Sequence, residues 1–361
     1  STPKPSSAAS DVYKRQAWND QIAPLDTSVM EQCREYVDNL TKPLGSLAQL
    51  EEMAIRIAGI TCRKKPARLQ KAIVIAAADT SIDSPDNQDH GKKSLAELML
   101  IAGGAAPVSA LARELQAPVY VADVGLEQNT EHVAGVMLHK MQNGSQSLQK
   151  GDALTQEACA EAIAFGGALA GELAHSGVEA LALGEIGARG ALAALAVTTA
   201  FLGPELSEAM RAQGFTAQSE AWTLAQTEPE TVLTRYGNAS IAMLTGLVLG
   251  AAARHMAIVF DNSVTGAAAV AAAAIAPRVK DYVFASAAYP DPLHQLQLQK
   301  LGLQAALHYD FTLAQGLGST LGLSLLDASL DMLNEMRTFG AAGVAVAEDG
   351  PGKGRQREEV R

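Results

Sequence analysis

An α/β fold, a parallel sheet covered by helices, is what this sequence predicts, and three observations carry it. Short apolar runs recur between longer stretches of helical spacing, in the rhythm of strand, crossover and strand. Aromatic residues make up only 4% against 48% hydrophobic overall, so Ala, Leu, Val and Ile must pack the interior, as in tightly layered helix-on-sheet structures. The 361 residues exceed the size at which one core usually stops growing, which predicts a large domain with a smaller satellite.

Residues 1–16 are rich in Ser, Pro and Lys without the apolar core of a signal peptide, and read as a disordered tail. The stretch 27–60 reads as helical, with polar punctuation at 41–46 where Ser46 is placed to cap the second half. The run 72–78 (AIVIAAA) is the first strand buried on both faces. Further strands are expected at 118–122 (PVYVA), 180–183 (ALAL), 256–260 (MAIVF) and 282–285 (YVFA). The intervening segments 94–115, 155–175 and 240–254 carry Ala and Leu at helical spacing and supply the covering helices. Residues 319–339 read as one long amphipathic helix that Ser319 can cap. Beyond 345 the chain turns charged and glycine-rich, a second tail over 347–361. The domain reading is a small helical domain from 17–65 plus 320–346 around an α/β domain at 66–319. No fixed-period repeat is visible, which argues against a solenoid.

The balance of 39 acidic against 28 basic residues gives a net charge of -11, the wrong sign for a protein that neutralises nucleic-acid backbones. Cys33, Cys62 and Cys159 are too few and too scattered for a disulfide framework or a zinc site, and read as reduced thiols in a cytoplasm. The longest apolar stretches, around 241–253 and 265–277, fall short of the roughly 20 residues that span a bilayer, so no membrane span is expected. Seven dispersed histidines show no paired metal-ligand spacing and no GxSxG elbow supports a hydrolase, so neither metal nor cofactor is expected.

In a parallel sheet the ligand crevice lies outside the carboxyl ends of the strands, which directs attention to Asp79, Asp123, Gly184-Glu185, Asp261 and Ser286. Aspartates there also serve as turn formers and helix caps, and both readings stand. In Leu183-Gly184-Glu185-Ile186-Gly187-Ala188-Arg189-Gly190 three glycines and a carboxylate link a strand to an Ala-rich helix. Such a link can cradle a phosphate on backbone N–H groups, or be a tight turn that needs glycine. The turn Gln315-Gly316-Leu317-Gly318-Ser319 has the same two readings.

Taken in order, these segments resemble the nicotinate-nucleotide:aromatic-base phosphoribosyltransferases of cobamide synthesis from about Trp18 to Val346. The run 42–47 (KPLGSL) with Leu50-Glu51 resembles the family's KPxGSLxxLE, 103–106 its GGAA turn, and 121–125 its VxDVG strand end. Gly184-Glu185-Ile186-Gly187 is similar to the first half of its GEMGIGNTT, and Asp261 with Thr265 to its LDGFI segment. The resemblance implies a Rossmann-like parallel sheet domain, a small helical domain built from both chain ends, and a dimer with active sites near the subunit contact. It also implies transfer of ribose phosphate from nicotinate mononucleotide to an aromatic base, with a glutamate in a GEGxG-like turn deprotonating the acceptor.

Here that turn reads Ala314-Gln315-Gly316-Leu317-Gly318, and the glutamate has become glutamine. The family's Asn-Thr-Thr is replaced by Gly190-Ala191-Leu192 with Arg189 before it, and its Asp-His-Gly by Asp79-Thr80-Ser81. The resemblance therefore implies a catalytically impaired subunit that supports a homologous partner in a heterodimer acting on phenol, p-cresol or a benzimidazole. The alternatives are a self-sufficient homodimer using Glu185 or Asp261 as base, and a non-catalytic protein that binds nucleotide or base. The expected site is Gln315 and Glu185 for chemistry, with Gly184, Gly187, Arg189, Gly190, Asp79, Ser81, Asp261, Gly316 and Gly318 around the substrates. Arg189 is either a new phosphate-binding cation or a surrogate paired to Glu185.

Overall fold

The computed structural model describes residues 18–82, 90–202, 228–310 and 312–346, and both expected tails lie outside them. The chain opens with α1 (Thr27–Asp38), whose first turn is capped by Asp26 accepting from Val29 N, and α2 (Gln49–Thr61). The sheet strands are β1 (Lys71–Ala78), β2 (Val119–Gly125), β3 (Val136–Leu138), β4 (Ala180–Ile186), β5 (Ala257–Phe260) and β6 (Val283–Ala285). Between them run α3 (His90–Ala102), α4 (Pro107–Glu114), α5 (Gln156–His175), α6 (Gly190–Leu202), α7 (Pro229–Tyr236), α8 (Ala239–Ala252) and α9 (Ser263–Ile275). After β6 come α10 (Pro292–Leu301), α11 (Leu317–Glu335) and α12 (Phe339–Ala342).

The strands form a sheet in the order β3-β2-β1-β4-β5-β6, and every neighbouring pair is parallel. The α/β reading holds. Strand β1 lies between β2 and β4 and is buried over nearly its whole length, as an apolar run flanked on both sides requires. Chain order runs outward from β1 in one direction to β3 and from β4 in the other to β6. The switch point therefore falls between β1 and β4, where Ala76 pairs with Glu185. One apolar cluster runs from Ile22 to Leu333 and is shared by the sheet, its covering helices and the end helices α1, α2 and α11.

Several local expectations need correction. The stretch 94–115 is two helices, because Gly104 takes a left-handed φ of 70° and Pro107 starts a new helix after the turn. By length and composition the segment 91–114 could cross a membrane, a candidate that the longest apolar runs do not include. The turn at Gly104 cuts it into pieces of 13 and 8 residues, each well below the roughly 20 needed to span. Ser46 caps nothing: α2 follows Ala48, and Glu51 reaches back to accept from Leu47 N at 2.9 Å. The same Glu51 forms an ion pair of 2.9 Å with Lys42, both side chains buried. The long C-terminal helix begins at Leu317 and ends at Glu335, and Ser319 bonds instead to Leu183 O on β4 and to Gly316 O. Strand β3 is an addition to the expected set, since three residues make no apolar run.

Candidate active site

At the switch point the carboxyl ends of β1, β4 and β5 bring three acids together. Asp79 follows β1, Glu185 stands near the end of β4, and Asp261 follows β5. All three are almost completely buried. Asp79 is saturated: one oxygen accepts from Ser94 Oγ and from Ala188 N at 2.7 Å, the other from Glu127 N at 2.9 Å. It thus ties the link after β4 to the end of β1. Asp261 accepts from Asn262 N at 2.7 Å and Thr265 Oγ1 at 2.9 Å, with the Ser319 and Gly318 amides also turned toward it. Burial nonetheless raises its carboxyl above the ordinary range. Asp123 belongs to neither group, because Gly125 N, Leu126 N, Thr130 and Lys140 use it within the β2 turn.

Burial pushes the Glu185 carboxyl well above its usual 4.5, and the nearby acids Asp79, Glu97 and Asp261 push the same way. Its side chain lies beside Gly190 at the start of α6. The link between them needs its glycine: Gly187 has φ of 149°, and a Cβ there would lie 1.8 Å from Ala78 O. Arg189, at a left-handed φ of 59°, is held toward Thr80 O at 3.5 Å. It is not ion-paired to Glu185, so the surrogate pairing, one of the two expectations for this residue, does not form.

A cavity of about 440 Å³ opens over these groups. Glu185, Gly187, Arg189, Gly190 and Asp261, all named from the sequence as site residues, line it. Its far wall is Tyr289, Pro290 and Asp291 after β6 together with Thr312, Leu313 and Ala314. Gln315 is a neighbour of the cavity but is absent from its lining. Its N–H donates to Glu185 O at 3.3 Å, its backbone is left-handed at φ 59°, and its Oε1 is buried without a hydrogen-bond partner. The turn docks closely because Gly316 meets Gly184: a Cβ on Gly184 would sit 2.9 Å from Gly316 Cα. Gly318 faces the Tyr289 hydroxyl and Asp261 Cβ. Ser81 stands outside the cavity, bonded to Ser145 and Glu127. Among the described residues no cluster of His, Cys, Asp and Glu is arranged to hold a metal.

A family model described as phosphoribosyltransferase matches residues 22–344. The chain belongs to this family. Among its relatives, the nicotinate-nucleotide–dimethylbenzimidazole phosphoribosyltransferase of Chloroflexus aggregans is 34% identical over 341 residues, covering 90% of this chain and 96% of that one. The enzyme of the same name from Geobacter sp. strain M21 is 34% identical over 338 residues, with 90% and 97% covered. In three dimensions the chain is similar to the crystal structure of that phosphoribosyltransferase from Thermus thermophilus, with a TM-score of 0.78 and 30% identity over 90% of this chain and 100% of that one.

Sequence reasoning missed part of the candidate site. Tyr289 and Asp291 follow β6 by only a few residues, so extending the strand-end rule past Ser286 would have reached them. Asn238 and Ser240, buried at the start of α8, carry no motif of their own. Only folding brings Ser240 Oγ to 3.5 Å from Glu185 Oε1, with Asn238 bonded to Ser240 behind it.

Proposed function

We propose that this chain is one subunit of a pentosyltransferase that moves ribose phosphate from nicotinate mononucleotide to an aromatic lower-ligand base in cobamide synthesis. Phenol, p-cresol and benzimidazoles are the base class. On this reading its own turnover is impaired and it supports a homologous partner that carries an acid where this chain has Gln315. Family membership and the names of the relatives, which describe single enzymes acting with nicotinate nucleotide and dimethylbenzimidazole, support the reaction class. Gln315 carries the rest. An amide cannot take a proton at neutral pH, so a general-base contribution of about 10²–10⁴ is lost. The test is to purify the chain alone and with a homologue bearing the intact glutamate, and to assay α-ribotide formation. Robust turnover by the lone chain rejects the reading.

A second reading has one observation in its favour: Glu185, not Gln315, lines the cavity. A self-sufficient homodimer would use Glu185 as base. It predicts that Glu185→Gln abolishes activity of the lone chain while Gln315→Ala leaves most of it.

A further inference from the structure

The buried polar groups around Glu185 constrain one another's hydrogens. Asn238 caps α8, and its Oδ1 accepts from Ile241 N at 2.9 Å, which fixes the amide so that Nδ2 donates to Thr80 Oγ1 at 3.0 Å. Ser240 Oγ lies 2.9 Å from the same Oδ1, which can only accept. The single hydroxyl hydrogen of Ser240 is therefore committed to Asn238. Glu185 Oε1 lies within reach of the same hydroxyl but at 3.5 Å against 2.9 Å for Asn238 Oδ1, so with the hydrogen on the shorter bond Ser240 turns a lone pair toward the carboxyl. Two acceptors facing each other in a buried space repel unless one of them brings a hydrogen.

We propose that Glu185 brings it: the residue is a neutral acid at neutral pH, its proton directed to Ser240, with Ser240 and Asn238 as the residues that position it. The neighbouring acids explain why the proton settles here. Asp79 and Asp261 each accept from several donors, including backbone N–H groups, which stabilise the charged form. Glu185 receives no backbone N–H donor among the described residues, only the distant Ser240 hydroxyl, and burial together with Asp79, Glu97 and Asp261 disfavours a charge on it. Arg189 lines the same cavity, with its Nη1 3.5 Å from Thr80 O. A neutral Glu185 removes one negative charge from a cavity that also exposes Asp261 and Asp291, which eases the approach of a phosphate ester. It also leaves Glu185 unready to act as a base. The inference deepens the reading above, yet its readout is the carboxyl itself, so failure to find a partner subunit leaves it untouched.

The test is infrared difference spectroscopy of the full chain at neutral pH, comparing wild type with Glu185→Gln, Ser240→Ala and Ser240→Thr. The expected result is an un-ionised carboxyl stretch that is lost in Glu185→Gln, shifts in Ser240→Ala, and returns toward its original position in Ser240→Thr. A wild-type spectrum in which Glu185→Gln removes only an ionised carboxylate band overturns the proposal. An acid band that Ser240→Ala leaves unmoved overturns the role of Ser240.

Discussion

Glu185 and Gln315 face each other across one backbone hydrogen bond, yet their chemistry is opposite: one is an acid burdened by its surroundings, the other an amide without a proton to trade. A carboxyl whose pKa is raised on folding holds its proton longer in the folded state than in the unfolded chain. Stability then falls as pH climbs from the ordinary value of 4.5 toward the raised one. Glu185→Gln abolishes that fall. Thermal unfolding of the two proteins is expected to coincide near pH 4 and to separate as pH rises, with the variant the more stable at about pH 8. Equal stability across the range would mean that Glu185 titrates normally.

At the scale of elements, the motif at 42–51 fastens the turn before α2. Lys42 and Glu51 pair at 2.9 Å with both side chains out of water, and Glu51 also holds Leu47 N at the start of α2. Removing one partner strands a buried charge. Lys42→Met is expected to cost about 3–5 kcal/mol in denaturant unfolding, and a loss under about 1 kcal/mol would show the pair to be dispensable. The strands were legible because five apolar runs, each too short for a helix, stand directly before acids or serine. Glu185 and Asp261 were legible for the same reason, being strand-end residues of a parallel sheet. What escaped was set by tertiary contact. Ser46 and Ser319 carry the right chemistry for caps, but Glu51 and the carbonyl of Leu183 offered other partners. The wall from Tyr289 to Ala314 comes from segments with no periodic signal, and only the packing of α10 and α11 on the rest of the fold brings it over Glu185.

At the scale of the whole molecule, a six-stranded parallel sheet places the candidate acids at one end, outside the carboxyl ends of β1, β4 and β5. A subunit that supports a homologous partner, as proposed above, must bind it. Binding to the folded state stabilises it by mass action. The unfolding midpoint of this chain is therefore expected to rise with the concentration of a homologous partner bearing the intact glutamate. A midpoint indifferent to that partner would count against the heterodimer.

If the amide at 315 limits the chain, turnover of the lone protein must change on Gln315→Glu. Ribotide formation from nicotinate mononucleotide and phenol or dimethylbenzimidazole should be near background for wild type and rise by about 10²–10⁴ in the variant. A wild-type chain that works alone as fast as Gln315→Glu would show that the amide limits nothing.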